Sequence, residues 1–189
     1  MTCQLKIAVL VGSLRKASLS RRLAEAAILH SKGGFAYEIV EIGDLPLYNQ
    51  DLEDAGTPHA WATFREAIRA ADGVLFVTPE YNRSVPGALK NALDVGSRPY
   101  GHSAWDGKPA AIISVSPGAM GAFGANHHLR QSLVFLNMPA MAQPEAYIGQ
   151  AVHLVADDLS IPGEASRNFI AGVIAAFESW VKSFVSPKC

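Results

Sequence analysis

Apolar residues run along this chain in short unbroken blocks, separated by stretches with helical spacing. Leu5-Lys6-Ile7-Ala8-Val9-Leu10-Val11 reads as a buried strand stopped by Gly12-Ser13. Over 18–31, Leu19, Leu23, Ala26, Ala27 and Leu29 or His30 recur at helical intervals. Tyr37-Glu38-Ile39-Val40-Glu41-Ile42 alternates like a second strand, and an irregular segment follows from Gly43 to Gly56. Thr57-Pro58 has the form of an N-cap with proline at the first helical position, opening a helix to about Ala71. Gly73-Val74-Leu75-Phe76-Val77-Thr78 is a continuous apolar strand ending at Pro79. Ser84-Val85-Pro86 starts another helix, which runs through Leu89 and Leu93. Pro109 to Val115 is the fourth strand, a helix covers about Ala125–Leu136, and a short strand lies near Met141–Ala146. The last helix, about Glu164–Phe184, carries a stripe of Phe169, Val173, Ala176, Phe177 and Trp180.

Alternating strands and helices, with strands that are unbroken Val/Ile/Leu runs, predict a parallel sheet covered by helices on both faces. Five such strands fit the flavodoxin-like α/β order, a doubly wound five-stranded parallel sheet in three α/β/α layers, better than an eight-stranded barrel. There is no internal repeat, low-complexity tract or linker, so residues 1–189 read as a single flavodoxin-like domain. In open sheets of this type, ligands bind beyond the carboxyl ends of the strands where the strand order reverses. Loops 12–20, 79–86 and 116–124 leave the first, third and fourth strands, which are neighbours around that point in a 2-1-3-4-5 order. Their convergence is the main argument for a site.

Composition narrows the classes. Of 189 residues, 49% are hydrophobic and 17% charged, and the formal net charge is -1. That balance argues against disorder and against a general polyanion binder, so no nucleic acid partner is expected. Cys3 and Cys189 form no disulfide framework and have no CxxC partner for zinc, which suits reduced thiols in a cytoplasmic protein. The start of the chain lacks a basic n-region, and no apolar run approaches the roughly 20 residues that span a bilayer. A soluble, cytoplasmic protein without a membrane partner is expected.

The first loop, Gly12-Ser13-Leu14-Arg15-Lys16-Ala17-Ser18-Leu19-Ser20, is neither a Walker A loop nor a GxGxxG fingerprint. A dinucleotide pyrophosphate needs close backbone approach, which these side chains obstruct. A terminal monophosphate can instead be wrapped by hydroxyls, amides at a helix N-terminus and one guanidinium, groups that Ser13, Arg15, Ser18 and Ser20 supply. The competing reading makes Ser18 or Ser20 an N-cap and Arg15 a solvated charge. The second loop runs from Pro79-Glu80-Tyr81-Asn82 to Gly87, and its bland reading is a turn-rich strand-to-helix connection. The third, Ser116-Pro117-Gly118-Ala119-Met120-Gly121-Ala122-Phe123-Gly124, has enough small residues for a flat ring to approach the backbone. Other features point elsewhere. His127-His128 diverge on a helix and lack a third ligand, so no metal site is expected. Asp157-Asp158 reads as a solvated turn. Trp105-Asp106-Gly107 reads as a turn before the fourth strand, with a substrate-facing Trp105 as its alternative.

Three blocks together resemble the NAD(P)H-dependent FMN reductase family of flavodoxin-like quinone, azo-dye and chromate reductases. They are Gly12-Ser13-Leu14-Arg15-Lys16 with Ser18; Pro79 to Gly87 with Leu89-Lys90-Asn91-Ala92-Leu93-Asp94; and His128-Leu129-Arg130-Gln131. The resemblance implies that Ser13, Arg15, Ser18 and Ser20 hold the FMN phosphate. It implies that Pro79, Glu80, Tyr81 and Asn82 border the isoalloxazine, and that Ser116 and Gly118 flank it. It implies NADPH or NADH as co-substrate, a quinone or similar small-molecule acceptor served by ping-pong transfer, and a homodimer or homotetramer with Arg130 and Glu145 near the subunit boundary. Hydride chemistry belongs to the flavin, so no indispensable catalytic side chain is expected, and Tyr81 shapes the open face. The chain departs from the family at Ser20 (usually Asn), Ala122 (often Gly), Gly124 (often Arg) and Val95 (often a large aromatic). The alternative is a non-enzymatic electron carrier of flavodoxin type. Against it stand the near-neutral charge and Arg15. A CheY-like regulatory module ranks lower still, because Gly12 and Pro79 stand where that topology needs acidic residues.

Overall fold

The computed structural model describes residues 4–185, so Cys3 and Cys189 lie outside the described residues. Five strands, β1 (Leu5–Val11), β2 (Phe35–Ile39), β3 (Gly73–Thr78), β4 (Ala110–Val115) and β5 (Ala146–Ile148), form one sheet in the order β2-β1-β3-β4-β5. Every pairing is parallel. The expected flavodoxin-like topology and its switch point between β1 and β3 are therefore present.

Two apolar layers follow from side chains alternating across each strand. Ile7, Val9 and Val11 of β1 face one layer, with Leu23, Ala24 and Ala27 of α1 (Leu19–Ile28) and Ile170, Val173, Ile174, Phe177 and Val181 of α6 (Glu164–Phe184). Ala8 and Leu10 face the other. That layer is filled by Trp61, Phe64 and Ile68 of α3 (His59–Ala70), Leu89 and Leu93 of α4 (Gly87–Gly96), and Leu129 and Leu133 of α5 (Phe123–Phe135). At the foot of the first layer Glu178 accepts hydrogen bonds from Ser31 Oγ at 2.5 Å and Tyr37 Oη at 3.0 Å. Burial, with the Glu178 carboxylate beside it, drives the Tyr37 phenol far above its ordinary pKa.

Several expected boundaries move. β2 spans Phe35–Ile39 rather than 37–42, because pairing runs from Leu5↔Phe35 to Val9↔Ile39 and Ile42 turns into the opposite layer. The fifth strand is Ala146–Ile148, not Met141–Ala146: Pro144 has no amide to give a ladder, and only Ala140 forms a bridge, to Ala110. The irregular stretch contains α2 (Gln50–Ala55), capped by Asn49 Oδ1 accepting from the Asp51 amide at 3.0 Å. It buries no residue of its own, so no apolar period announces it. Thr57 does not cap α3; Pro58 holds that position, and Thr57 Oγ1 donates to Glu53 Oε1 at 2.6 Å. Phe169 and Leu29 are exposed rather than part of their helices' buried stripes; Ile170 takes the place given to Phe169.

Glu53 is tied to Arg65 through Nη1 at 2.8 Å and Nη2 at 2.5 Å, and Arg65 Nε donates to the Val95 carbonyl at 2.8 Å. This nearly closed-off pair clamps α2 to α3 and α4. The Arg65 hydrogen bonds hold the Glu53 carboxyl below its usual range, against the opposing effect of burial. Asn91 of α4 does the same for the preceding loop: its Oδ1 accepts from the Tyr48 amide, and its Nδ2 donates to the carbonyls of Leu45 and Pro46.

Candidate functional site

The first loop leaves β1 directly against β3. The Gly12 amide donates to the Val77 carbonyl at 2.9 Å, and a Cβ at Gly12 would stand 2.5 Å from Thr78 Oγ1 and 3.2 Å from Leu89 Cδ2. A larger residue there must push aside the side chains of Thr78 on β3 and Leu89 on α4. Beyond it Ser13 is almost enclosed while Arg15 is exposed, and among the described residues no acid pairs with Arg15. Ser18 caps α1, its Oγ accepting from the Arg21 amide at 3.1 Å. The N-cap reading is therefore realised, yet it does not use up the group: a hydroxyl that accepts one bond still has its proton to donate. Ser20 is buried on the inner side of the same turn. The first turn of α1 contains no acidic residue, so the positive end of its dipole is uncompensated.

The second loop is a two-residue hairpin. Tyr81 and Ser84 exchange both main-chain hydrogen bonds at 3.0 Å, and Asn82 (φ 51°) and Arg83 (φ 65°) both adopt the left-handed conformation. Asparagine accepts that geometry readily; an arginine held there costs about 1 kcal/mol or more, which the surrounding contacts must offset. Those contacts come from α5 and from the third loop, where Arg83 Nη1 meets Met120 Sδ at 3.5 Å. Glu80 Oε2 accepts from the Ala125 amide at 3.1 Å, and Ser84 Oγ meets His128 Nδ1 at 2.9 Å. Tyr81 stands at the mouth, 45% exposed.

In the third loop, Ser116 Oγ donates to the Gly118 carbonyl at 2.9 Å, and a Cβ at Gly118 would project into open space. Beneath lies a polar chain that reasoning from the loops alone missed. Arg130 Nε donates to Asn126 Oδ1 at 3.0 Å, Asn126 Nδ2 to Ser114 Oγ at 3.2 Å, and Ser114 Oγ to the Gly121 carbonyl at 2.8 Å. Arg130 Nη1 also donates to the Met141 carbonyl. Ser114 and Asn126 are fully buried. Their signal was a lone hydroxyl inside the apolar fourth strand and an asparagine one helical turn before Arg130.

These loops border an open cleft of about 150 Å³ lined by Ser13, Arg15, Ser18, Ser20, Pro79, Glu80, Tyr81 and Ser116, with Leu19, Val115 and Pro117 between them. The three loops picked out from the sequence thus meet around one cleft. Asn82 and Gly118 belong to the same loops but do not line it. Glu80 reaches the cleft while its carboxylate is turned to α5. The remaining candidates lie elsewhere. Trp105 is fully buried, donating from Nε1 to the Leu93 carbonyl at 2.9 Å, which removes the substrate-facing alternative. His127 and His128 diverge, toward Tyr147 Oη and Ser84 respectively. Tyr147 is raised in pKa by burial and then by the Glu145 carboxylate. Among the described residues no helix is long and apolar enough to cross a membrane.

Comparison with known proteins gives a consistent result. A family model described as NADPH-dependent FMN reductase matches residues 5–153. A quinone reductase of Pseudomonas putida is 60% identical over 176 residues, 93% of this chain and 94% of that protein. A 2-hydroxy-1,4-benzoquinone reductase of a Burkholderia species is 45% identical, covering 94% of this chain and 97% of its own. Among solved structures, the flavoenzyme NAD(P)H:(acceptor) oxidoreductase FerB of Paracoccus denitrificans superposes with a TM-score of 0.90 at 41% identity, over 95% of this chain and 98% of that one. The family match takes in all three loops and all five strands, and by it the chain belongs to the NADPH-dependent FMN reductase family.

Proposed function

We propose that this protein is an FMN-dependent NAD(P)H:quinone oxidoreductase whose flavin lies in the cleft between loops 12–20, 79–83 and 116–121. The observation that carries the reading is the asymmetry of the cleft. One end gathers Ser13, Ser18, Ser20, the unpaired Arg15 and the uncompensated N-terminus of α1, a donor set suited to a phosphate monoester. The other end is bordered by Pro79, Val115, Ser116, Pro117 and a half-exposed tyrosine, a flatter and less charged surface suited to a ring. The residues present therefore fit FMN. When bound, that cofactor supplies the redox chemistry, taking a hydride from the nicotinamide and passing electrons to the quinone.

The chain's own part is to bind, orient and polarise. Ser13, Arg15, Ser18 and Ser20 hold the phosphate. Pro79 to Asn82, with Ser116 and Gly118, frame the ring, and main-chain amides of these loops stabilise negative charge with little reorganisation. Tyr81 shapes the face that stays open. One open face serving nicotinamide and acceptor in turn gives ping-pong kinetics, with parallel initial-rate lines. We place the protein in the cytoplasm as a homodimer or homotetramer. The strongly exposed Val134 and Phe135 of α5, with Met120 and Phe123 near the cleft, support association of copies.

The test begins with the visible spectrum of the purified protein and the mass of the released chromophore. FMN, together with NADPH oxidation by a soluble quinone, is expected. A colourless protein that takes up no added FMN overturns the reading. Reduction only through a separate reductase would instead favour a carrier.

A further inference from the structure

The helix after the third loop begins without a cap of its own. Ala122 holds the N-cap position of α5 in a left-handed conformation (φ 59°), offers no side-chain acceptor, and the first turn contains no acid. The acceptor comes from the opposite wall of the cleft: Glu80 Oε2 takes the hydrogen bond of the Ala125 amide at 3.1 Å. The Glu80 side chain is only 15% exposed and lies 3.6 Å from Arg83 Nη1, which in turn reaches Met120 Sδ at 3.5 Å. The approach is close because residue 124 has no side chain. A Cβ there would stand 2.9 Å from Glu80 Oε2 and 2.9 Å from the Arg83 carbonyl.

From this geometry we infer that Glu80 is a positioning residue: its carboxylate caps α5 across the cleft and fixes the gap between loops 79–83 and 116–121. Gly124 is the condition for it. The inference rests on the reading that this gap holds the flavin ring. Glu80 itself touches no reacting atom in this account; it acts by holding Pro79 to Asn82 against the helix that the third loop feeds. The Ser84–His128 contact at 2.9 Å is a second tie between the same two segments, one turn further along α5. Loss of the Glu80 tie leaves the hairpin held by that contact and by the exposed Arg83–Met120 contact, so the gap widens rather than the fold collapsing.

The test titrates the full-length chain, freed of flavin, with FMN and separately with riboflavin, following quenching of flavin fluorescence and the resolved shoulders of the bound-flavin spectrum. Three variants are compared. Glu80→Gln keeps an acceptor oxygen and is expected to bind both ligands within about threefold of the parent, with the shoulders retained, since capping by a neutral oxygen is nearly as good. Glu80→Ala is expected to weaken FMN and riboflavin by the same factor, about tenfold, and to blur the shoulders. Gly124→Ala should act in the same way by wedging the carboxylate off the helix; it carries the test if Glu80→Ala does not fold. Equal weakening of the two ligands separates a change at the ring from one at the phosphate. Parent-like binding and spectra in both Glu80→Ala and Gly124→Ala overturn the inference, as does Glu80→Gln falling as far as Glu80→Ala. A parent chain that takes up neither ligand overturns the proposed function first and this inference with it.

Discussion

Arg15 offers the sharpest separation of binding from folding. Its side chain is exposed, and among the described residues it has no ion pair, so its removal leaves no buried partner behind. The Arg15→Ala variant should therefore melt within about 0.5 kcal/mol of the parent, as surface substitutions do. The effect belongs entirely to the ligand. A guanidinium bonded to a phosphate contributes about 1.5–3 kcal/mol. Arg15 stands at an open cleft where water screens the charge, and Lys16 is adjacent to supply part of the field, so the lower end applies. That is about a tenfold rise in the dissociation constant for FMN. Riboflavin lacks the phosphate, and its affinity should not change. Titration of flavin-free protein with each ligand at low and at 0.5 M salt measures both numbers. The FMN penalty should shrink at the higher salt, where screening lengths fall to a few ångströms, roughly. Equal weakening of FMN and riboflavin, or no change for FMN, refutes the placement of the phosphate at this loop.

Other substitutions probe neighbouring parts. Gly12→Ala should destabilise the fold by about 1–3 kcal/mol through contact with Thr78 and Leu89, and should reduce flavin retention by shifting the loop that begins there; thermal melts and bound-flavin content measure the two effects. Ser18→Ala removes the cap of α1 at a cost of about 1 kcal/mol and should also weaken FMN relative to riboflavin, read by the same titration. Glu53→Gln leaves the Arg65 guanidinium short of its carboxylate and should cost about 3 kcal/mol, lowering the melting temperature by roughly 6–12 °C. The same pair sets a pH dependence. Because the folded-state pKa of Glu53 is depressed, its stabilisation is complete above the ordinary glutamate range near ~4.3 and is lost as pH falls through the lower folded value; the acid limb of a stability–pH curve should be shallower in Glu53→Gln.

How far the sequence reached depended on which interactions were local. Unbroken apolar runs announced β1, β3 and β4, because a strand buried on both faces needs little else. The edges were harder. β2 and β5 are bounded by register with their neighbours and by Pro144, and their own residues do not carry that information. The hidden helix Gln50–Ala55 is held by Glu53 reaching Arg65, a partner twelve residues away that no periodicity reveals. The same holds for the site. Ser13, Arg15, Ser18 and Tyr81 were legible as chemistry placed after strands. The role of the Glu80 side chain was not, since its partner is an amide on another helix 45 residues on. Ser114 and Asn126 escaped notice, and Arg130 was legible only as part of a family block and not as their partner, because a buried polar chain has no sequence pattern beyond its isolated members.

That buried chain has a consequence for change in this protein. Arg130, Asn126 and Ser114 hand hydrogen bonds inward to the Gly121 carbonyl, so swapping any one member strands another out of reach of water. The floor under the third loop is thus expensive to redesign one residue at a time. Met120, by contrast, stands exposed above that floor, and its contact there is with the equally exposed Arg83, so a change of its size or polarity strands no buried group. Change around the cleft mouth, in nature or in a library, therefore comes more cheaply at such an exposed tip than in the chain beneath it.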